Sequence, residues 1–88
     1  MAVHMSFNFP DGKCKCLFIP IIVRIEKDLT FGQMCSIDEA VQRKINEYVK
    51  KEEHWNSDEC LIDEVIKEFA DKLKFKYIFI TINYKSLC

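Results

Sequence analysis

From Leu17 to Ile25 every odd position is apolar: Leu17, Ile19, Ile21, Val23 and Ile25. The even positions Phe18, Pro20, Ile22 and Arg24 are mixed. A period of two puts one unbroken apolar face on a β-strand, and the pattern predicts that strand over residues 13–27. Pro20 lacks an amide proton, so it belongs at an edge, at a bulge, or just past a hairpin partner. Upstream, Phe7 and Phe9 share one face and Ser6 and Asn8 the other, which predicts a short strand over 3–9. Between the two, Pro10-Asp11-Gly12 has hairpin chemistry: Pro presets its own φ, Asp bonds locally, and Gly accepts positive φ.

The period then lengthens. Ile37, Ala40, Val41, Ile45, Tyr48 and Val49 recur at helical spacing. Ser36-Ile37-Asp38-Glu39 reads as a capping box, so the first helix is expected over 36–53. His54-Trp55-Asn56-Ser57 is the break. Leu61, Ile62, Val65, Ile66, Phe69, Ala70 and Leu73 form a second apolar stripe. Asn56 or Ser57 is its expected cap, with Asp58 and Glu59 at its positive end, and the helix is expected over 57–74. Ile78, Ile80 and Ile82 alternate with Tyr77, Phe79 and Thr81, predicting a last strand over 75–84.

The order ββααβ predicts an α+β fold: a two-layer sandwich with an antiparallel or mixed sheet and two helices on one of its faces. If the isoleucines of both long strands meet the helix stripes, Phe18, Ile22, Tyr77 and Phe79 share the opposite face. A small monomer seldom exposes such a group together, so these four are the interface candidates, with Trp55 as either an anchor beside them or a lid on the core.

Composition bounds this picture. Eighty-eight residues make one small domain, 1–88, with residues 1–4 readable as an added leader or an alternative start before Met5. Half-hydrophobic content (49%) with 12% aromatic residues can build a core, and the pairs of Gly and Pro leave few turns. The net charge of -1 carries no basic nucleic-acid footprint, and no run is long enough for a membrane span. The charge is nevertheless uneven. Over 58–74, Asp58, Glu59, Asp63, Glu64, Glu68 and Asp71 outweigh Lys67, Lys72 and Lys74 by three. This helix face is an acidic candidate for a basic partner. The segment 11–28 carries a net +1.

Candidate chemistry is sparse. Glycine-rich phosphate loops, a His-Glu-x-x-His pair and a Cys-x-x-Cys pair are all missing. Cys14, Cys16, Cys35, Cys60 and Cys88 are odd in number and irregular in spacing, which fits reduced thiols in the cytoplasm better than a disulfide framework. Cys14 and Cys16 share a strand face, and with His4 or His54 they would complete a tetrahedral site only in a spacing foreign to structural zinc. Neither metal nor cofactor is therefore expected. Tyr77 and Phe79 could stack bases, but the acidic balance argues against RNA.

The run 18–85 resembles the tunnelling-fold enzymes of the dihydroneopterin aldolase type. A long strand, two consecutive amphipathic helices and a returning strand occur there in this order. The second helix of that family often opens Leu-Ile-Glu before an apolar run, and here Leu61-Ile62-Asp63 precedes Val65, Ile66 and Phe69. The resemblance implies that Asp63 anchors a pterin or purine ring, and that sites form between subunits of a closed oligomer. The family's catalytic lysine sits in a Lys-Pro segment; Asn83-Tyr84-Lys85-Ser86 has a lysine and no proline.

Two functional expectations follow. The first is a small non-catalytic protein-binding or assembly module (adaptor, subunit or inhibitor of a larger protein). It acts on a protein partner or on itself through the apolar sheet face, the acidic helix, or both. The alternative is a pterin- or purine-binding enzyme of tunnelling-fold type with Asp63 as ligand anchor.

Overall fold

The structure, a computed structural model, describes residues 2–10, 18–51 and 58–80, with side chains at 2–9, 20–50 and 60–80. Five elements follow one another: β1 (Val3–Pro10), β2 (Phe18–Ile25), α1 (Phe31–Lys51), α2 (Asp58–Leu73) and β3 (Tyr77–Ile80). The three strands form an antiparallel sheet in the order β1-β2-β3. The fold is α+β, and the element order is the one the hydrophobic pattern predicts. The expected turn at Asp11-Gly12 and the strand residues 13–17 and 81–84 lie outside the described residues.

β2 is the central strand, and its odd face dictates the packing. Ile21, Val23 and Ile25 are buried, as are Phe7 and Phe9 beside them on β1. Phe9 pairs with Ile19, Phe7 with Ile21 and Met5 with Val23, so alternation on both strands stays in phase. Against this face the helices bring Ile37, Val41 and Ile45 from α1 and Leu61, Ile62, Ile66 and Ala70 from α2. Fully burying a branched side chain of this kind contributes about 1.5–3 kcal/mol, and Val23, Ile25, Ile37, Val41, Ile62 and Ile66 are all fully buried. Phe9 and Tyr48 tie β1 to α1, with ring centroids 5.3 Å apart.

The start of α1 corrects the sequence reading. The helix begins at Phe31, five residues before the Ser36 box. Thr30 and Gln33 make the reciprocal cap instead. The Gln33 amide donates to Thr30 Oγ1 at 3.1 Å, and the Thr30 amide donates to Gln33 Oε1 at 3.0 Å. The chain holds two box patterns, Thr30–Gln33 and Ser36–Glu39, and the earlier one captures the free amides because Gly32 falls in the first turn and no proline interrupts Phe31 to Cys35. Ser36 then lies inside the helix and donates back to the Gly32 carbonyl at 3.0 Å.

The end of α2 is built without glycine. Lys74 takes the left-handed conformation, φ 58°. The Phe75 amide donates to the Ala70 carbonyl at 3.2 Å, and Phe75 is buried with Ala70 in the core. This is the six-to-one bond and apolar contact of a Schellman ending. Lys27 Nζ adds a hydrogen bond to the Leu73 carbonyl, placing a cation where the helix leaves its acceptors free. The Glu26 amide donates to the Lys76 carbonyl at 2.7 Å, carrying the turn straight into the β2–β3 ladder.

Two expectations follow for chemical denaturation. Thr30→Ala lowers stability by about 1 kcal/mol, whereas Ser36→Ala changes it by less than about 0.5 kcal/mol; equal losses would assign the cap to the later box. Lys74→Gly raises stability by about 0.5–1 kcal/mol, because glycine takes the left-handed conformation without the Cβ penalty. A loss instead would mean that the Lys74 side chain outweighs that strain.

Candidate functional site

The register of β3 decides which residues form the open face of the sheet. Phe79 pairs with Val23 and Tyr77 with Ile25, both on the buried side of β2. Tyr77 and Phe79 therefore face the helices, half-buried against the core. This corrects the expectation that they share the opposite face with Ile22. The isoleucines take that place: Ile80 pairs with Ile22 and Ile78 with Arg24. Both parities of β3 are apolar, so alternation alone could not choose between them.

Physical chemistry does choose. Phe75, Tyr77 and Phe79 stack edge to face in sequence, with centroids 6.3 and 6.0 Å apart. At the middle of this ladder the Tyr77 hydroxyl donates to Asp63 Oδ1 of α2 at 2.5 Å. Aromatic rings with a polar tip suit the margin of a core, where the ring is buried and the hydroxyl meets a helix side chain. Burial, then the bond to Asp63, then the negative charges of Asp63 and Asp71, push the Tyr77 hydroxyl up to about 12.

The acidic helix accordingly splits. Asp63 is half-buried and engaged by Tyr77, so it leaves the exposed acidic face to which the sequence assigned it. Glu64, Glu68 and Asp71 are exposed, and the side chains of Asp58 and Glu59 lie outside the described residues. The same holds for Trp55 and for the side chain of Phe18, whose backbone pairs with Pro10. Of the four residues expected on one sheet face, only Ile22 is placed there by its described side chain.

The open face is polar along β1 and apolar along β2 and β3. His4, Ser6 and Asn8 are exposed on β1. Across from them lie Arg24, Ile22 and Pro20, and beyond those Ile78 and Ile80. Ile22 and Ile80 are half-buried and Ile78 is 53% exposed. Arg24 Nε contacts Glu26 Oε1 at 3.1 Å, forming a charged border. Sequence reasoning missed Ile78 and Ile80; the signal lay in Phe75, which continues the odd parity of Tyr77 and Phe79 into the core.

Among the described residues, two hollows mark the helix layer. One, about 230 Å³, lies between α1 and α2 and is lined by Ala40, Arg43, Lys44 and Glu47 on one side and Glu64, Val65 and Glu68 on the other. A wider one, about 500 Å³, joins the start of α1 to the end of α2, where Gln33, Ser36, Phe69 and Leu73 meet. Asp63 is in the lining of neither. Cys35 and Cys60 are free thiols. Among the described residues no group of three or more His, Cys, Asp and Glu side chains could hold a metal ion, and no helix is long and apolar enough to cross a membrane. No family model, curated protein or solved structure matches the chain.

The chain has three tyrosines. In an alkaline titration followed by phenolate absorbance, Tyr77 ionises near 12 in the folded protein, against about 10 when unfolded. Its proton is held more tightly in the folded state, so the stabilising contribution is complete below about 10 and is lost as pH rises through about 12. Asp63→Asn moves the Tyr77 transition down; an unchanged curve would mean the two groups do not interact in solution.

Proposed function

We propose that the chain is a small non-catalytic protein-binding or assembly module that docks a protein partner on the open β2–β3 face. The observation that carries this reading is the in-register Ile22–Ile80 pair beside the exposed Ile78. An apolar centre bordered by Arg24, Glu26 and the polar row of β1 has the composition of a protein interface: dry in the middle and charged at the rim. The described side chains offer no catalytic constellation that competes with it. The same reading keeps the chain in the cytoplasm, where Cys35 and Cys60 stay reduced.

The alternative, a tunnelling-fold pterin- or purine-binding enzyme, draws support from two helices inserted between β2 and β3 of a sequentially ordered sheet. It loses support at its anchor. The Asp63 carboxylate already accepts the Tyr77 hydroxyl on Oδ1, and it lines neither hollow of the helix layer in which a ring could sit. Association is therefore the preferred reading.

Ile22→Arg with Ile78→Arg tests it. Both positions lie outside the core cluster, so the variant keeps the wild-type circular dichroism spectrum and loses no more than about 1 kcal/mol. Proteins retained by the immobilised wild-type chain from its native cytosol are absent from the variant's eluate. Identical eluates, or a variant that does not fold, would overturn the proposal.

A further inference from the structure

The groove between α1 and α2 has walls of opposite net charge. Arg43 and Lys44 stand on the α1 side, with Glu47 one turn further along it; Glu64 and Glu68 stand on the α2 side. Ala40 and Val65 supply the apolar lining between them. None of the five charged groups makes an ion pair or hydrogen bond among the described residues. The charges thus face one another across a gap, and each wall lacks a partner of the other's sign at contact distance.

We propose that this groove is the contact surface of a two-fold homodimer, with a second copy of the chain as its occupant. A two-fold axis along the groove turns the second copy over and exchanges left for right. Its Arg43 and Lys44 then lie over Glu64 and Glu68 of the first copy, and the reverse pairs form by the same operation. A two-fold axis across the groove would set α1 over α1 and bring the two Arg43-Lys44 pairs together. Like charges opposed in this way select against that arrangement. The charge pattern therefore specifies both the partner and the orientation of the axis. Ala40 and Val65 of the two copies meet at the centre, so two helix layers stack between two sheets. Both open sheet faces then point outward, which gives the dimer two equivalent docking faces of the kind proposed above. The dimer itself rests on the groove and does not depend on that reading.

Sedimentation equilibrium of the full chain at concentrations up to about 1 mM is the test. At about 20 mM salt the chain is a dimer, and the association weakens as salt approaches about 1 M because the pairs at the rim are screened. Arg43→Glu with Lys44→Glu weakens self-association roughly tenfold or more, and so does Glu64→Lys with Glu68→Lys. Mixing the two variants restores a one-to-one complex, since one now carries two acidic walls and the other two walls of net positive charge. Circular dichroism confirms that each variant folds before it is weighed. A wild-type monomer at low salt, or a mixture that stays monomeric, would overturn the proposal. So would a dimer that survives both charge reversals. Survival of such a dimer that is then lost on Ile22→Arg with Ile78→Arg would transfer self-association to the sheet face. Retention of the groove dimer by that isoleucine variant is the expected result.

Discussion

The parity of β2 is the constraint on which the rest of the structure depends. Ile21, Val23 and Ile25 point one way and Pro20, Ile22 and Arg24 the other. Both helices pack on the first set. A slip of one residue would bring Arg24 inward and cost the burial of three branched side chains at once. β1 and β3 are tied to β2 from either side, so the parity passes across the sheet through Phe7, Phe9, Tyr77 and Phe79.

The buried face is not made of one kind of residue. Aliphatic groups fill its middle, where both helices cover it. Aromatic rings lie along β3, where cover thins and the rings remain half-exposed. Tyr77 suits that position because its ring packs between Phe75 and Phe79 while its hydroxyl reaches Asp63. One hydrogen bond between α2 and β3 thereby adds to the packing of these rings in holding that side of β3 toward the helices. It also withdraws Asp63 from the solvent-facing acids of α2.

Among the described residues outside the core, two surfaces differ in character. The open sheet face is apolar with a charged border, suited to close packing against another apolar surface. The helix groove is dominated by charge, with opposite net charge on its two walls, suited to orientation more than to strength. They lie on opposite layers of the molecule, so occupation of one leaves the other accessible.

Much of this was legible in the residues. The unbroken odd face of β2, the phase of Phe7 and Phe9, and the stripes of Ile37-Val41-Ile45 and Ile62-Ile66-Ala70 follow from periodicity, because each has a polar or, on β2, an interrupted mixed counterpart to define its inside. The end of α2 was likewise within one residue of its expected position. Three features were not legible. Thr30-Gln33 and Ser36-Glu39 are equally good boxes locally, and only the continuation of the helix through Phe31 to Cys35 separates them. β3 is apolar on both sides, so its inside was set by the packing of its rings together with the Tyr77–Asp63 bond across fourteen residues. The groove at Arg43, Lys44, Glu64 and Glu68 needs two helices laid side by side. Patterns with contrast are decided by sequence alone. Patterns without contrast are decided by which neighbour arrives in three dimensions, since only contact distinguishes two equally apolar faces.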